Sequence, residues 1–205
     1  MVWDSSDELN YGTPHSRAMK RLLLLTSLLL FPAASRAETP EQWIALVKRV
    51  HGGFGSYLPL GIRIGLDARK QLGRGGQLAG MRDLDVTYIS FPSAPCACVA
   101  DGLMLATGAT PGQGTLRVQF VRGPLSPRLK RIPFGRVEVR SKTTGHSISY
   151  EIPASTRKLL DRWNATRDER GRYDAVMGAP GKDLFVRIIS GWFSNTPGPM
   201  GAENP

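Results

Sequence analysis

Residues 94–118, APCACVADGLMLATGATPGQGTLRV, constrain this chain more than any other stretch. They hold both cysteines, an acidic residue, a short apolar helix pattern and a glycine-rich turn. Val99–Thr107 has helical spacing, with Leu103 and Ala106 on its apolar side and Gly108 as its stop. Asp85–Phe91 before it alternates as a strand. Val86, Tyr88 and Ser90 share one face, and Thr87, Ile89 and Phe91 the other; Pro92 and Pro95 end it. Thr115–Val121 after it reads as another strand.

The flanking chain adds more of both kinds. Thr39-Pro40-Glu41-Gln42 is a helix start, with Thr39 as cap, Pro40 at the first helical position and Gln42 placed to close a capping box. Trp43, Leu46, Val47 and Val50 follow at helical spacing, His51 stands at the end, and Gly52-Gly53 breaks the helix. Leu58–Leu72 is a second helix, apolar over much of its circumference. Its Gly61 and Gly65 lie on one face and admit another backbone closely; Gly73 ends it, and Arg74–Gly80 is a loop. Val137–Arg140 and Ser147–Ile152 are strands around the turn Thr143-Thr144-Gly145, and Pro153–Trp163 is a helix. Leu184–Ile189 suits strand or helix alike, and Asn195–Pro205 reads as a disordered tail. The expected fold is α+β, one domain of mixed helices and a mostly antiparallel sheet over residues 38–194.

The beginning of the chain reads as a targeting device. Lys20 and Arg21 precede the apolar run Leu22–Phe31, and Ser35 and Ala37 suit the small-residue positions of a cleavage site. A membrane span needs about 20 apolar residues, so this run is too short to persist as one. Met19 is a plausible true start, which makes residues 1–18 an over-long beginning and 19–37 a signal peptide. The expectation is cleavage after Ala37, a periplasmic or secreted product, and no transmembrane anchor in the mature form. Its removal takes away four basic and three acidic side chains and leaves the chain strongly basic.

The full chain has 27 Lys+Arg against 17 Asp+Glu. That charge suits an anionic partner, but it is scattered among apolar and polar residues, and no block resembles a nucleic-acid arm. No nucleic acid is expected. A small molecule or cofactor fits better, and the sequence leaves a homodimer open. Two cysteines cannot make a disulfide-rich scaffold, so the fold must rest on its core.

Three readings of the cysteines stay open. Cys96 and Cys98 as thiolates, joined by His51, would make a Cys2His set with an open position on a zinc-like divalent ion. The helix following Cys98 favours a thiolate, and Asp101 in its first turn is favoured there too. Alternatively the pair forms a local disulfide in an oxidising compartment, suited to a redox role. In the third reading both are small packed residues and His51 only ends a helix. The turn Gly108–Gly114 is no phosphate loop, because its glycines follow a helix rather than lead into one. His146 reads as a surface or packed histidine, and Asn164-Ala165-Thr166 fits a glycosylation acceptor.

Two motifs carry a resemblance. His51-Gly52, Leu58 and Leu60-Gly61-Ile62-Arg63 form the first. Cys98-Val99-Ala100-Asp101-Gly102 and Thr107-Gly108-Ala109-Thr110-Pro111-Gly112-Gln113-Gly114-Thr115-Leu116 form the second. Together they resemble the FmdE-like domain family of formylmethanofuran dehydrogenase, over about half the mature chain. The resemblance implies an α+β domain that occurs alone or beside a molybdenum or tungsten enzyme. It implies a His-Gly-His-x-Cys-Pro-Gly motif and a Thr-Gly-Cys-Thr turn. Here the second histidine falls on Gly53, the first-motif cysteine on Gly55, the following Pro-Gly on Ser56-Tyr57 and the turn cysteine on Ala109. His51, Cys96 and Cys98 remain as the expected metal ligands, with Asp101, Thr107 and Thr110 lining the pocket. The functional expectation is an exported metal- or cofactor-binding domain accessory to a molybdenum or tungsten redox system. The alternatives are a non-catalytic anion- or partner-binding module and an exported thiol redox protein. Whether the domain is an enzyme is left open.

Overall fold

The computed structural model describes residues 38–121 and 133–190. The over-long-start reading of residues 1–18, the signal-peptide reading of 19–37 and the tail reading of 195–205 all lie outside the described residues.

Two helices cross at glycines and set the frame. Helix α1 is Pro40–His51, α2 is Tyr57–Leu72 and α3 is Cys98–Thr107. A Cβ on Gly61 of α2 would lie 2.1 Å from the Val99 carbonyl oxygen, and one on Gly102 of α3 would lie 2.1 Å from that of Leu58. A Cβ on Gly65 would lie 2.7 Å from that of Ala106. The close approach expected of Gly61 and Gly65 is thus made by α3, with a reciprocal glycine on its own surface. Helix α2 is buried over most of its circumference, as its composition predicts.

Among the described residues the sheet has five strands: β1 Leu84–Ser90, β2 Leu116–Phe120, β3 Gly135–Ser141, β4 Ser147–Ile152 and β5 Val186–Ser190. Their order is β2-β1-β3-β4-β5. β1 and β2 are parallel, which α3 permits as the crossover; the other three pairings are antiparallel. The fold is therefore α+β with a mostly antiparallel sheet. Alternation decides the faces. Leu84, Val86 and Tyr88 of β1, Val137 and Val139 of β3, and Ile148, Tyr150 and Ile152 of β4 are buried. They join Leu60, Ile64, Val99 and Leu103 of the helices in one core. A second cluster holds Trp43 and Val47 of α1 with Leu58, Ile62 and Ala106.

The caps match the sequence signals. Thr39 and Gln42 close the capping box of α1. Gly52 and Gly108 take left-handed conformations, φ 85° and 69°, at the ends of α1 and α3. Helix α4, Ala154–Thr166, begins just after Pro153 and runs three residues past Trp163. The Leu184–Ile189 run divides: Leu184 closes a short helix α6, Gly181–Leu184, and Val186 opens β5. One helix carries no clear sequence signal, α5, Glu169–Gly178. Only Tyr173 and Val176 of it are buried, and a glycine sits inside it. Asp168 caps it through the Gly171 N–H at 2.7 Å. Among the described residues no helix is long and apolar enough to cross a membrane.

Candidate functional site

His51 comes from the end of α1 and Asp101 from the first turn of α3. The glycine crossing brings α3 close under α2, and the Gly52 cap turns the chain directly after the imidazole. His51 Nδ1 and Asp101 Oδ2 are 2.7 Å apart, a hydrogen bond across 50 positions of sequence. Both side chains remain part-exposed, at 29% and 39%. With Nδ1 engaged, Nε2 is the ring nitrogen left to meet a ligand.

The cysteines sit one turn away. Cys98 and Asp101 are three residues apart on α3, hence on the same face and about 4.5 Å apart along its axis. Helical side chains lean toward the N-terminus, so the Asp101 carboxylate leans toward the turn of Cys98. Cys96 and Cys98 are joined as a disulfide with Cα atoms 5.4 Å apart. The Cys98 N–H donates to Cys96 Sγ at 3.4 Å. Both residues are half-buried, and Cys98 packs against the cluster of Trp43, Val47 and Phe54. Of the three readings of the pair, the geometry is that of the local disulfide.

Two polar chains fasten the loops around this site. Arg172 of α5 donates to the carbonyls of Phe54 and Asn164, each at 2.9 Å. Asn164 Oδ1 accepts the Ser56 N–H at 2.7 Å. These hold residues 52–56, the stretch that corresponds to the first family motif. Asn164 thus stands inside α4 and anchors a loop, where its sequence context reads as a glycosylation acceptor. On the other side, Tyr57 Oη donates to Asp161 Oδ1 at 2.5 Å, Arg157 lies 3.5 Å from Asp161, and Arg157 donates to the Ser93 carbonyl in the loop before the disulfide. Burial, then the bond to Asp161, holds the Tyr57 phenol well above its ordinary value. Arg172, Asn164 and Arg157 are the positioning residues that sequence reasoning misses; the Asp168 cap was the only local hint of the helix that carries Arg172.

Thr107 and Thr110 do not share this site. They stand at the other end of α3, about 9 Å or more along the axis from Asp101. Thr107 is fully buried, donates to the Leu103 carbonyl at 2.7 Å and accepts the Ala109 N–H. Thr110 caps the turn Pro111–Gln113 by accepting the Gln113 N–H at 3.2 Å. Both shape the glycine-rich turn into β2, and the pocket expected to include them with Asp101 is not assembled. The three-donor set of His51, Cys96 and Cys98 is not assembled either. The sulfurs are bonded to each other and the imidazole to Asp101. Among the described residues no group of three or more His, Cys, Asp or Glu is placed to hold a metal ion.

Fold and site together define an α+β domain with a histidine–aspartate pair beside a disulfide at a helix start. Residues 50–185 match the family described as "FmdE, Molybdenum formylmethanofuran dehydrogenase operon". The chain belongs to the FmdE family. It is similar to the crystal structure of a tungsten formylmethanofuran dehydrogenase FmdE-like protein from Syntrophus aciditrophicus, at 18% identity over 76% of this chain and 74% of that one, with a TM-score of 0.45. No curated protein matches it.

Proposed function

We propose that this FmdE-family domain is exported, with cleavage after Ala37, and binds a divalent metal of the zinc type at His51, Cys96 and Cys98 when the cysteines are reduced. Its place is accessory to a molybdenum or tungsten redox system, the setting that the family's description names for molybdenum. The hydrogen bond between His51 and Asp101 carries this reading. Metal-binding histidines commonly give their second nitrogen to a carboxylate, which fixes the ring and raises its basicity. A disulfide offers no thiolate, so the oxidised residues do not fit the ion. Reduction frees two sulfurs at the N-terminus of α3, where the dipole favours thiolate. The test is metal content of the full chain purified with and without a dithiol. Stoichiometric metal in the reduced protein, lost in His51→Ala, supports the reading. A reduced protein that stays metal-free and is indifferent to that substitution overturns it.

The closed disulfide supports a second reading, an exported thiol redox protein that cycles Cys96 and Cys98. Thiol titration separates the two. Two free thiols in protein isolated from the export compartment end the redox reading.

A further inference from the structure

The helices cover one face of the sheet, and the other face carries a cleft of about 390 Å³ lined by side chains of four strands. We propose that this cleft is a second site, distinct from the His51 region, for a small oxyanion bearing a phosphate or carboxylate group. The register builds it row by row. Arg117 of β2 stands beside Thr87 of β1, Thr87 opposite Glu138 of β3, and Glu138 opposite Ser149 of β4. In the next row Arg140 stands between Asp85 and Ser147. Arg136 is on the same face. Three guanidiniums thus meet two carboxylates and three hydroxyls in one concavity.

The positive charge is only partly compensated. Among the described residues Arg117 and Arg140 have no ion-pair partner. Arg136 lies 3.5 Å from Glu138 through Nε, yet that nitrogen is buried without a hydrogen-bond partner. Ser149 is 9% exposed, although it lies on the face the helices leave open. A buried N–H without an acceptor is costly, and an oxyanion placed there relieves that cost. Guanidinium forks match the planar oxygens of carboxylate and phosphate, and the hydroxyls of Thr87, Ser147 and Ser149 supply neutral donors. The volume suits a small molecule.

The test is titration of the full chain with sodium phosphate and, separately, with sodium citrate, each against sodium chloride at matched ionic strength. The readout is NMR shifts of arginine Nε–Hε groups and of the strand amides. Saturable shifts confined to β1–β4 with either oxyanion, absent with chloride, are expected; which of the two saturates first assigns the site to phosphate or carboxylate. Arg117→Gln with Arg140→Gln removes two exposed side chains outside the core. It weakens binding about tenfold or more, while His51→Ala leaves it unchanged. Shifts that chloride reproduces, that never saturate, or that survive the double substitution overturn the proposal.

Discussion

Gly102→Ala probes the crossing on which the site depends. The new Cβ would lie 2.1 Å from the Leu58 carbonyl oxygen, 2.9 Å from the Ile62 nitrogen and 3.0 Å from the Gly61 Cα. All three are backbone atoms within α2, and none can swing aside as a side-chain tip would. The helices must part by about 1 Å, in a core where overpacking costs about 1–3 kcal/mol, occasionally more. Alanine's better helix propensity returns at most about 1 kcal/mol. With the cost at the upper end, since every contact is backbone, the expected net loss is about 2 kcal/mol, read as a lower urea midpoint with an unchanged slope. Gly61→Ala meets the same crossing from the other side, with 2.1 Å to the Val99 carbonyl oxygen. Once the helices have parted for one methyl, the second meets less resistance. The double variant should therefore lose clearly less than the two single losses together. Gly178→Ala is the control, because a Cβ there meets nothing within 4 Å, and it should be neutral or slightly stabilising. Since Asp101 adjoins Gly102, NMR of the His51 ring should also change in Gly102→Ala and stay as it was in Gly178→Ala. A Gly102→Ala protein as stable as the parent, or strictly additive losses, would refute the close crossing.

Three further outcomes are expected. Burial raises the phenols of Tyr57, Tyr88 and Tyr150, that of Tyr88 to about 12. Their contribution is whole below the unfolded value near 10 and lost as pH rises through the folded values, by up to about 1.4 kcal/mol per pH unit for each. Tyr150→Phe should make the alkaline limb of a pH–stability curve shallower, costing about 1–2 kcal/mol at neutral pH through the lost bond to Asp67; an unchanged limb contradicts it. At Asp83 burial pushes the carboxyl up, but bonds from Thr143 and Ser141 outweigh it and lower its pKa. That contribution is present above the unfolded value near 4 and lost as pH falls through the folded one. Asp83→Asn should flatten the acid limb and cost about 1 kcal/mol, and an acid limb as steep as the parent's counts against it. Gly53→His puts an imidazole where the resembling family has one, and a Cβ there meets nothing within 4 Å. It should fold normally and tighten binding of a cobalt probe in the reduced protein, seen in the visible spectrum; a spectrum identical to the parent's speaks against the site at His51.

The fold was legible where a local signal agreed with its surroundings. The Thr39–Gln42 box, the glycine stops at 52 and 108 and the alternation of Val86, Tyr88 and Ser90 each specify a geometry within a few residues. Gly61 and Gly65 announced a close partner but not which one, because the answering glycine, Gly102, lies about forty positions on. Helix α5 was illegible for the opposite reason. Its residues favour no strong period, and it is held by contacts outside itself, Tyr173 in the cluster with Trp43 and Phe54 and Arg172 on the Phe54 carbonyl. The parallel pairing of β1 and β2 is likewise a matter of how α3 crosses back, which no composition reveals.

The site divides along the same line. A disulfide between positions 96 and 98 needs only a short loop to bend, so it was visible as one of three readings. The imidazole's partner was not, because it depends on how far α3 slides along α2. That distance is fixed by bare backbone meeting bare backbone at Gly61 and Gly102. The two glycines and the His51–Asp101 pair are consequently one device: the crossing places the first turn of α3 under the end of α1, and the carboxylate beside Gly102 arrives at Nδ1. Motif residues that look like chemistry, Thr107 and Thr110, serve the turn into β2. Residues that look like packing, the two glycines, decide which carboxylate the histidine meets.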